Sequence, residues 1–201
     1  MADDVSREVS KQRRALALGL GAAAIASLMG APALADDDDR DTYSEPDILH
    51  AAEGFFGAAA EGLADVIHHI FHDQGRPNGY IEGSEGSGAI GIGLRYGEGL
   101  MHNKNYPSTT HVYWQGPSLG FDAGGNASKV FTLVYHMSRP GQIFQRFPGV
   151  DGSAYFVGGV GANYQQSGRI ILAPIRAGVG FRLGANLGYL NYTRRRHLSP
   201  F

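Results

Sequence analysis

The sequence predicts a mainly β fold with one long buried α-helix: a small antiparallel β-barrel of about eight to ten strands wrapped around a central hydrophobic helix. The first observation is a helical, largely apolar segment from Glu45 to Gln74. The second is a change to a period of two after Asn78, which is typical of β-strands. The third is glycine, which supplies 30 of the 201 residues and permits strong bending of strands.

The helical segment carries signals for both of its ends. Ser44 suits the N-cap, whereas Gly75 and Pro77 would end the helix. Apolar side chains cover most of the circumference between these points, and a helix that is apolar on all sides is buried. We therefore expect a single helix over residues 45–74 that the sheet encloses.

Residues 88–96 alternate between larger apolar side chains and glycine or arginine, which is the pattern of a half-buried strand. The face expected to be buried carries Ile90, Ile92, Leu94 and Tyr96. The opposite face carries Gly91, Gly93 and Arg95. Residues 179–189 repeat the pattern, and further strands are predicted at 79–83, 110–115, 117–123, 129–137, 153–162 and 168–176.

The chain is expected to divide into four segments. Residues 1–35 are predicted to be an export signal and residues 36–44 an acidic linker, because a run of aspartates repels itself and stays solvated. Residues 45–193 would form the helix-filled β-barrel domain, and residues 194–201 a basic C-terminal tail. A body of this length suits one domain with one core.

The export signal is predicted from three parts in order. Lys11, Arg13 and Arg14 make a basic start, residues 15–28 are apolar, and Ala33-Leu34-Ala35 is a small-residue cleavage site. The apolar run is shorter than the roughly 20 residues that a membrane-spanning helix needs. We therefore expect cleavage after Ala35, a periplasmic location, and no transmembrane segment in the remaining chain.

Composition excludes several classes of function. The chain has no cysteine, so disulfides and thiolate metal sites are impossible. Its net charge of −2 gives no general attraction to nucleic acid, and we expect no nucleic-acid partner. The hydrophobic fraction of 43% and the charged fraction of 18% are those of a globular protein.

Motifs for catalysis, cofactors and metals are also missing from the sequence. Gly86-Ser87-Gly88 lacks the pattern of a nucleophile elbow, and no acid pair can be assigned to general acid–base work. His68 and His72 are four residues apart and share a helix face, but a metal would need a third ligand. The sequence therefore predicts no catalytic residues, no cofactor and no metal site.

Several long segments resemble one family. Residues 75–83 (GRPNGYIEG), 88–99 (GAIGIGLRYGEG), 112–118 (VYWQGPS) and 120–126 (GFDAGGN) are similar to the alphaproteobacterial envelope integrity protein A family. The resemblance covers roughly residues 45–193. It implies a periplasmic β-barrel around a central hydrophobic helix, needed for envelope integrity and similar in fold to SYLF-type lipid-binding domains. The family supplies no catalytic residues.

The leading hypothesis is a non-enzymatic periplasmic protein that supports envelope integrity by binding a lipid or other hydrophobic molecule inside the barrel. The candidate wall residues are Phe55, Phe56, Leu63, Ile67, Trp114, Phe121 and Tyr155. The same side chains could instead fill the core and leave no cavity. The alternative function is a structural or interaction module that binds another envelope protein through surface residues such as Arg95 or Arg182. An enzyme acting on lipid or peptidoglycan has no support beyond the expected location.

Overall fold

The structure is a computed structural model that describes residues 38–57, 61–88, 93–118, 128–177 and 188–196. The predicted export signal, most of the repeated strand pattern at 179–189, Arg182 and Phe121 lie outside these residues. The helices of this described part are α1 Asp38–Asp41, α2 Glu45–Phe56 and α3 Leu63–Gln74, and a 3-10 helix covers Pro140–Ile143. The predicted acidic linker thus contains one turn of helix, α1.

Within the described ranges, ten antiparallel strands follow the helices, in agreement with the predicted mainly β class. They are β1 Gly79–Gly88, β2 Gly93–Asn103, β3 Tyr106–Ser118, β4 Ser128–Tyr135, β5 Arg146–Pro148, β6 Tyr155–Val157, β7 Val160–Ala162, β8 Gln165–Ser167, β9 Ile170–Ala177 and β10 Tyr189–Thr193.

The single helix predicted over residues 45–74 is wrong, because glycine interrupts it. The α2 helix begins with a capping box in which Ser44 and Asp47 exchange side-chain to backbone hydrogen bonds of 3.3 Å. It ends at Gly57, with φ of 96°, and α3 begins after Gly62, with φ of 84°. Both values lie in the left-handed region that glycine adopts without strain, so the chain changes direction there.

The strands form one curled, barrel-like sheet. Their order is β5-β10-β3-β2-β1-β4-β9-β7-β6, and β8 pairs with β9. Gly149, directly after β5, bridges to Gln165 in β8, and Val150 donates a backbone hydrogen bond of 2.9 Å to Tyr164. These contacts connect β5, at one end of the sheet, to β8, which pairs with β9 near the other end, so the sheet curls around an interior.

Side chains from the strands fill the concave side of this sheet. The cluster there draws on seven of the strands and on the connection after β4, which places it inside the curl. Its buried members are Ile81, Met101, Val112, Trp114, Val130, Val134, Met137, Ile143, Phe147, Ile170, Leu172, Leu190 and Tyr192.

The helices pack on the opposite, outer face of the sheet. They bury Ile48, Ala52, Leu63, Val66, Ile67 and Ile70 against Phe131, Leu133, Tyr135, Val160, Ala162, Ala173 and Ile175. The central helix predicted from the sequence is therefore not observed. Each helix buries one stripe and exposes the other side to solvent, as Glu53 in α2 and Asp65 in α3 illustrate.

The predicted assignment of faces in β2 is also reversed. Arg95 points into the curl and is 7% exposed, so it is not a surface residue, and Leu94 and Tyr96 lie on the outer face. The reason is Trp114 on β3, which lies opposite Gly97. A side chain at Gly97 would overlap the indole ring, so the glycine face must be the inner one.

Several predicted strand boundaries change as well. β1 continues to Gly88, beyond the predicted 79–83, and β2 continues to Asn103, beyond the predicted 88–96. Residues 110–115 and 117–123 were expected as separate strands, whereas β3 runs without interruption to Ser118. Residues 153–162 were expected as one strand, whereas β6 and β7 form a hairpin that turns at Gly158-Gly159.

Within the part of the chain that the structure describes, no helix is long and apolar enough to cross a bilayer.

Candidate functional site

A buried charged centre lies inside the curl. Glu85 Oε1 receives a hydrogen bond of 2.6 Å from Arg176 Nε, and its Oε2 receives one of 3.2 Å from Trp114 Nε1. Arg95 Nε lies 3.7 Å from Glu85 Oε1. Arg176 Nη1 donates to Asn163 Oδ1 at 3.1 Å. The strands β1, β2, β3 and β9 thus each direct one polar side chain to the same point.

The electrostatics of this centre favour a permanent ion pair. Burial raises the pKa of Glu85, but the guanidinium groups of Arg176 and Arg95 outweigh burial, and the net effect is a lowered pKa. The carboxylate therefore stays ionised at neutral pH and is a poor proton donor or acceptor. The centre is an ion pair that fixes the positions of its side chains, and it does not have the properties of an acid–base catalyst.

An open groove of about 310 Å³ lies on the outer face of the sheet, beside the end of α2. Its lining residues come from α2 and from four adjacent strands. They are Phe55, Glu82, Gly83, Ser84, Glu98, Gly99, Leu100, His111 and Lys129. We call this feature the outer groove.

Cross-strand register explains why the outer groove exists. Ser84 on β1 pairs with Lys129 on β4 and with Glu98 on β2, so the three side chains share one face. The small serine leaves a gap between its longer neighbours. Glu82 pairs in the same way with Leu100, whose side chain is exposed.

The end of α2 forms one wall of the outer groove. Lys129 Nζ donates a hydrogen bond of 2.8 Å to the carbonyl oxygen of Phe55, and Nζ lies 5.4 Å from the centre of the Phe55 ring. A lysine at a helix C-terminus satisfies a free carbonyl and suits the negative end of the helix dipole. The contact holds the aromatic ring at the edge of the outer groove.

The charges of the outer groove are divided between its two sides. Glu98 Oε2 accepts a hydrogen bond of 2.8 Å from Arg196 Nη2, and Glu82 Oε2 lies 3.7 Å from His102 Nε2. Lys129 has no carboxylate within ion-pair distance among the residues that the structure describes. The outer groove thus has a cationic side on β4 and an acidic side on β1 and β2.

The structure does not bring the sequence-predicted site residues into one cavity. Leu63 and Ile67 are buried between the helices and the sheet. Phe56 and Tyr155 pack at the margin of that outer core, and Phe55 also lines the outer groove. Trp114 lies on the other side of the sheet, inside the curl, and Phe121 lies outside the described residues.

The helix histidines have carboxylate neighbours. His68 Nδ1 lies 3.1 Å from Glu45 Oε1, which connects α3 to α2. His72 Nδ1 lies 3.5 Å from Asp73 Oδ1. Among the described residues, no three His, Asp or Glu side chains lie together so that they could hold a metal ion.

The sequence analysis did not identify the main residues of the buried charged centre or of the outer groove. Arg176 stands alone in the apolar run of β9, and an isolated charge in such a run is a usable signal of a buried ion pair. No comparable signal exists for Ser84 and Lys129. Their proximity comes from the pairing of strands that are distant in sequence.

Comparison with known proteins relates this chain to a protein family and to a solved structure. The family model described as envelope integrity protein A matches residues 41–201. The chain is also similar to a crystal structure of a β-barrel-like, uncharacterized protein from Brucella abortus. The identity is 44%, the TM-score is 0.73, and the match covers 80% of this chain and 99% of that one. No curated protein matches the chain. Because the family model matches most of the length of this chain, the chain belongs to the envelope integrity protein A family.

Proposed function

We propose that this protein is a non-enzymatic, periplasmic protein that supports the integrity of the cell envelope by binding an amphiphilic molecule at the outer groove. Membership of the envelope integrity family supports the envelope role. The observation that carries the binding site is the pair of apolar side chains at the outer groove, Phe55 and Leu100, next to charged groups of both signs. Leu100 is 42% exposed, so its side chain is available to the apolar part of a ligand.

The packing inside the curl favours the outer groove over the interior as the binding site. Phe147 and Tyr192 are buried there in edge-to-face contact, 5.6 Å between ring centres, and Trp114 lies 5.8 Å from Tyr192. An apolar ligand would have to displace these rings and approach the ion pair of Glu85 and Arg176. Displacing well-packed side chains costs several kcal/mol, about 3–5 for a large aromatic residue.

The size of the outer groove restricts what can bind. Its volume of about 310 Å³ is at the lower end of the range for ligand sites, roughly 300–1,000 Å³. This space suits a headgroup and the first carbons of a chain, and a two-chain lipid would not fit. The amphiphile would therefore be engaged while its tails remain in a membrane or a micelle.

Leu100→Asp tests the proposal. Burial of a leucine side chain contributes about 1.5–3 kcal/mol, so the variant should bind a short-chain phosphatidylcholine at least roughly tenfold more weakly. Val150→Asp is the matched control, because Val150 is also 42% exposed and does not line the outer groove. Calorimetric titration of both variants and the unmodified chain gives the affinities. Equal affinity in all three would refute the outer groove as the binding site.

Binding of another envelope protein through the outer surface is the second candidate function. The exposed aromatic side chain of Tyr106 on β3, which does not line the outer groove, favours this alternative. A photo-crosslinking residue placed at Tyr106 in intact cells should then capture one defined protein. Capture that is unchanged by Leu100→Asp would separate this function from amphiphile binding.

A further inference from the structure

We propose that the outer groove selects a zwitterionic phospholipid headgroup on a membrane surface, with the phosphate beside Lys129 and the cationic ammonium group beside Glu82 and Glu98. This inference rests on the proposed function and adds the chemical class of the ligand. It follows from the arrangement of charge across β4, β1 and β2.

Strand spacing separates the two signs of charge. Lys129, Ser84 and Glu98 occupy one row across three strands, and neighbouring strands lie about 4.8 Å apart. The backbones at Lys129 and Glu98 are therefore about 9.6 Å apart, with only a hydroxymethyl group between them. A ligand that lies over Ser84 meets a cation on one side and a carboxylate on the other.

The cationic side of the outer groove can accept an anionic group. An ammonium group has three N–H donors, and Lys129 Nζ uses one for the carbonyl oxygen of Phe55. No carboxylate among the described residues lies within ion-pair distance of it. A phosphate oxygen can therefore take one of the remaining N–H groups in a charge-assisted hydrogen bond.

The acidic side can accept a cationic group because its present partners are weakly held. Both members of the Glu98–Arg196 pair are exposed, 42% and 65% for the two side chains. Exposed ion pairs contribute little to stability, about 0–1 kcal/mol, so the ammonium group of a ligand can compete with Arg196 for the carboxylate of Glu98. Glu82 lies 3.7 Å from His102, which leaves its carboxylate open to a closer partner.

The total charge of the outer groove favours a zwitterion over an anionic lipid. The formal charges of Lys129 and Arg196 cancel those of Glu82 and Glu98. An anionic headgroup would gain from Lys129 and lose to the two carboxylates. A headgroup with both signs can satisfy both sides, while Phe55 and Leu100 cover its apolar carbons.

Flotation with vesicles tests the headgroup preference of the full chain. We expect stronger binding to phosphatidylcholine vesicles than to vesicles in which phosphatidylglycerol replaces half of that lipid. Lys129→Gln should weaken binding to phosphatidylcholine about tenfold, the value of one charge-assisted hydrogen bond. The control Lys104→Gln should leave binding unchanged, because Lys104 is exposed beside Tyr43 and does not line the outer groove.

A double variant gives the sharper test, because it should reverse the preference. Glu82→Gln together with Glu98→Gln leaves Lys129 and Arg196 without opposing carboxylates. We expect this variant to bind phosphatidylglycerol vesicles more strongly than phosphatidylcholine vesicles. Asp151→Asn, in an exposed turn, is the control for loss of a carboxylate and should keep the original preference. Equal thermal unfolding midpoints confirm that all variants are folded.

The outcomes separate the headgroup proposal from the proposed function. Vesicle binding that depends on Leu100 but is indifferent to the headgroup would overturn the headgroup proposal alone. The same applies if the double variant keeps its preference for phosphatidylcholine. Binding to no vesicle, together with no effect of Leu100→Asp on the short-chain lipid, would overturn both.

Discussion

At Gly97, the space that a side chain would occupy is taken by the indole of Trp114. The ring lies across the inner face of β2 and donates a hydrogen bond of 3.2 Å to Glu85. The absence of a side chain at Gly97 thus permits the packing of the Trp114 indole and its hydrogen bond to Glu85. The ion pair of Glu85 and Arg176 depends on the same arrangement, since all four residues meet on the concave side.

Gly97→Ala should destabilise the fold by about 1–3 kcal/mol, the usual cost of adding a methyl group to a filled core. Gly86→Ala is the matched control in β1, because nothing lies within 4 Å of a Cβ built there. Urea unfolding gives both values. A Gly97→Ala chain as stable as the control would contradict the position assigned to the indole ring.

Glu85→Gln should destabilise the protein by about 3–5 kcal/mol at neutral pH, because it leaves the buried Arg176 without its carboxylate. The pH dependence provides a second readout. The folded pKa of Glu85 lies below its ordinary value of 4.5, so its ion pairs contribute full stability above that pH. This contribution is lost as the pH falls through the folded pKa.

The unmodified chain should therefore lose stability on acidification more steeply than Glu85→Gln does. Glu53→Gln, on the exposed side of α2, serves as the control and should keep the steep dependence. Identical acid profiles for the unmodified chain and Glu85→Gln would show that the Glu85 ion pair contributes nothing.

At the scale of elements, the break between α2 and α3 decides where the helices lie. Gly57 and Gly62 both have positive φ, and Gly62 also touches the backbone of Val157. The turn lets each short helix place one apolar stripe on the outer face of the sheet. A continuous helix of this length would extend about 45 Å and could bury only part of itself on so small a sheet.

Gly62→Ala should cost more than about 1 kcal/mol, because a side chain there combines an unfavourable φ with an overlap with Val157. Gly54→Ala should have the opposite sign and stabilise α2 by up to about 1 kcal/mol, since Gly54 is exposed within the helix and a Cβ there has open space. Thermal unfolding of both variants measures the difference. A stabilising Gly62→Ala would argue for one continuous helix.

Sequence patterns located the elements of this fold better than they assigned their faces. The strands predicted at 79–83, 129–137 and 168–176 overlap β1, β4 and β9, because a period of two is a local property of the chain, whereas the strand predicted at 88–96 overlaps only the start of β2. The inner face of β2 depends on Trp114, which belongs to another strand, so the pattern around Arg95 could not reveal it. Gly57 and Gly62 are visible in the sequence as places where a helix can bend, but glycine is also tolerated inside helices, so the sequence alone did not distinguish a bend from a break.

The candidate site was even less accessible to sequence analysis. Seven wall residues were predicted, and six of them belong to the part of the chain that the structure describes. Of these six, Phe55 alone lines the outer groove. The others were chosen for an enclosing barrel, whereas Leu63 and Ile67 pack under the helices and Trp114 packs inside the curl. The outer groove results from the register of β4, β1, β2 and β3, which no local pattern encodes.

At the scale of the whole molecule, the two faces of the sheet differ in how they are covered. The inner face is closed by packed side chains and a buried ion pair, which stabilises the curl. The outer face is partly covered by α2 and α3 and partly open at the outer groove. We infer that recognition of an amphiphile takes place on the outer face and that the inner face provides stability.

Broadening of methyl NMR signals by a short-chain phosphatidylcholine carrying a nitroxide on its acyl chain tests this division most directly. Leu100 reports on the outer groove, and Leu172 and Val112 report on the interior. We expect strong broadening of the Leu100 methyl signals and little change at Leu172 and Val112. Strong broadening at Leu172 and Val112 with unchanged Leu100 signals would place the ligand inside the curl and contradict binding at the outer groove.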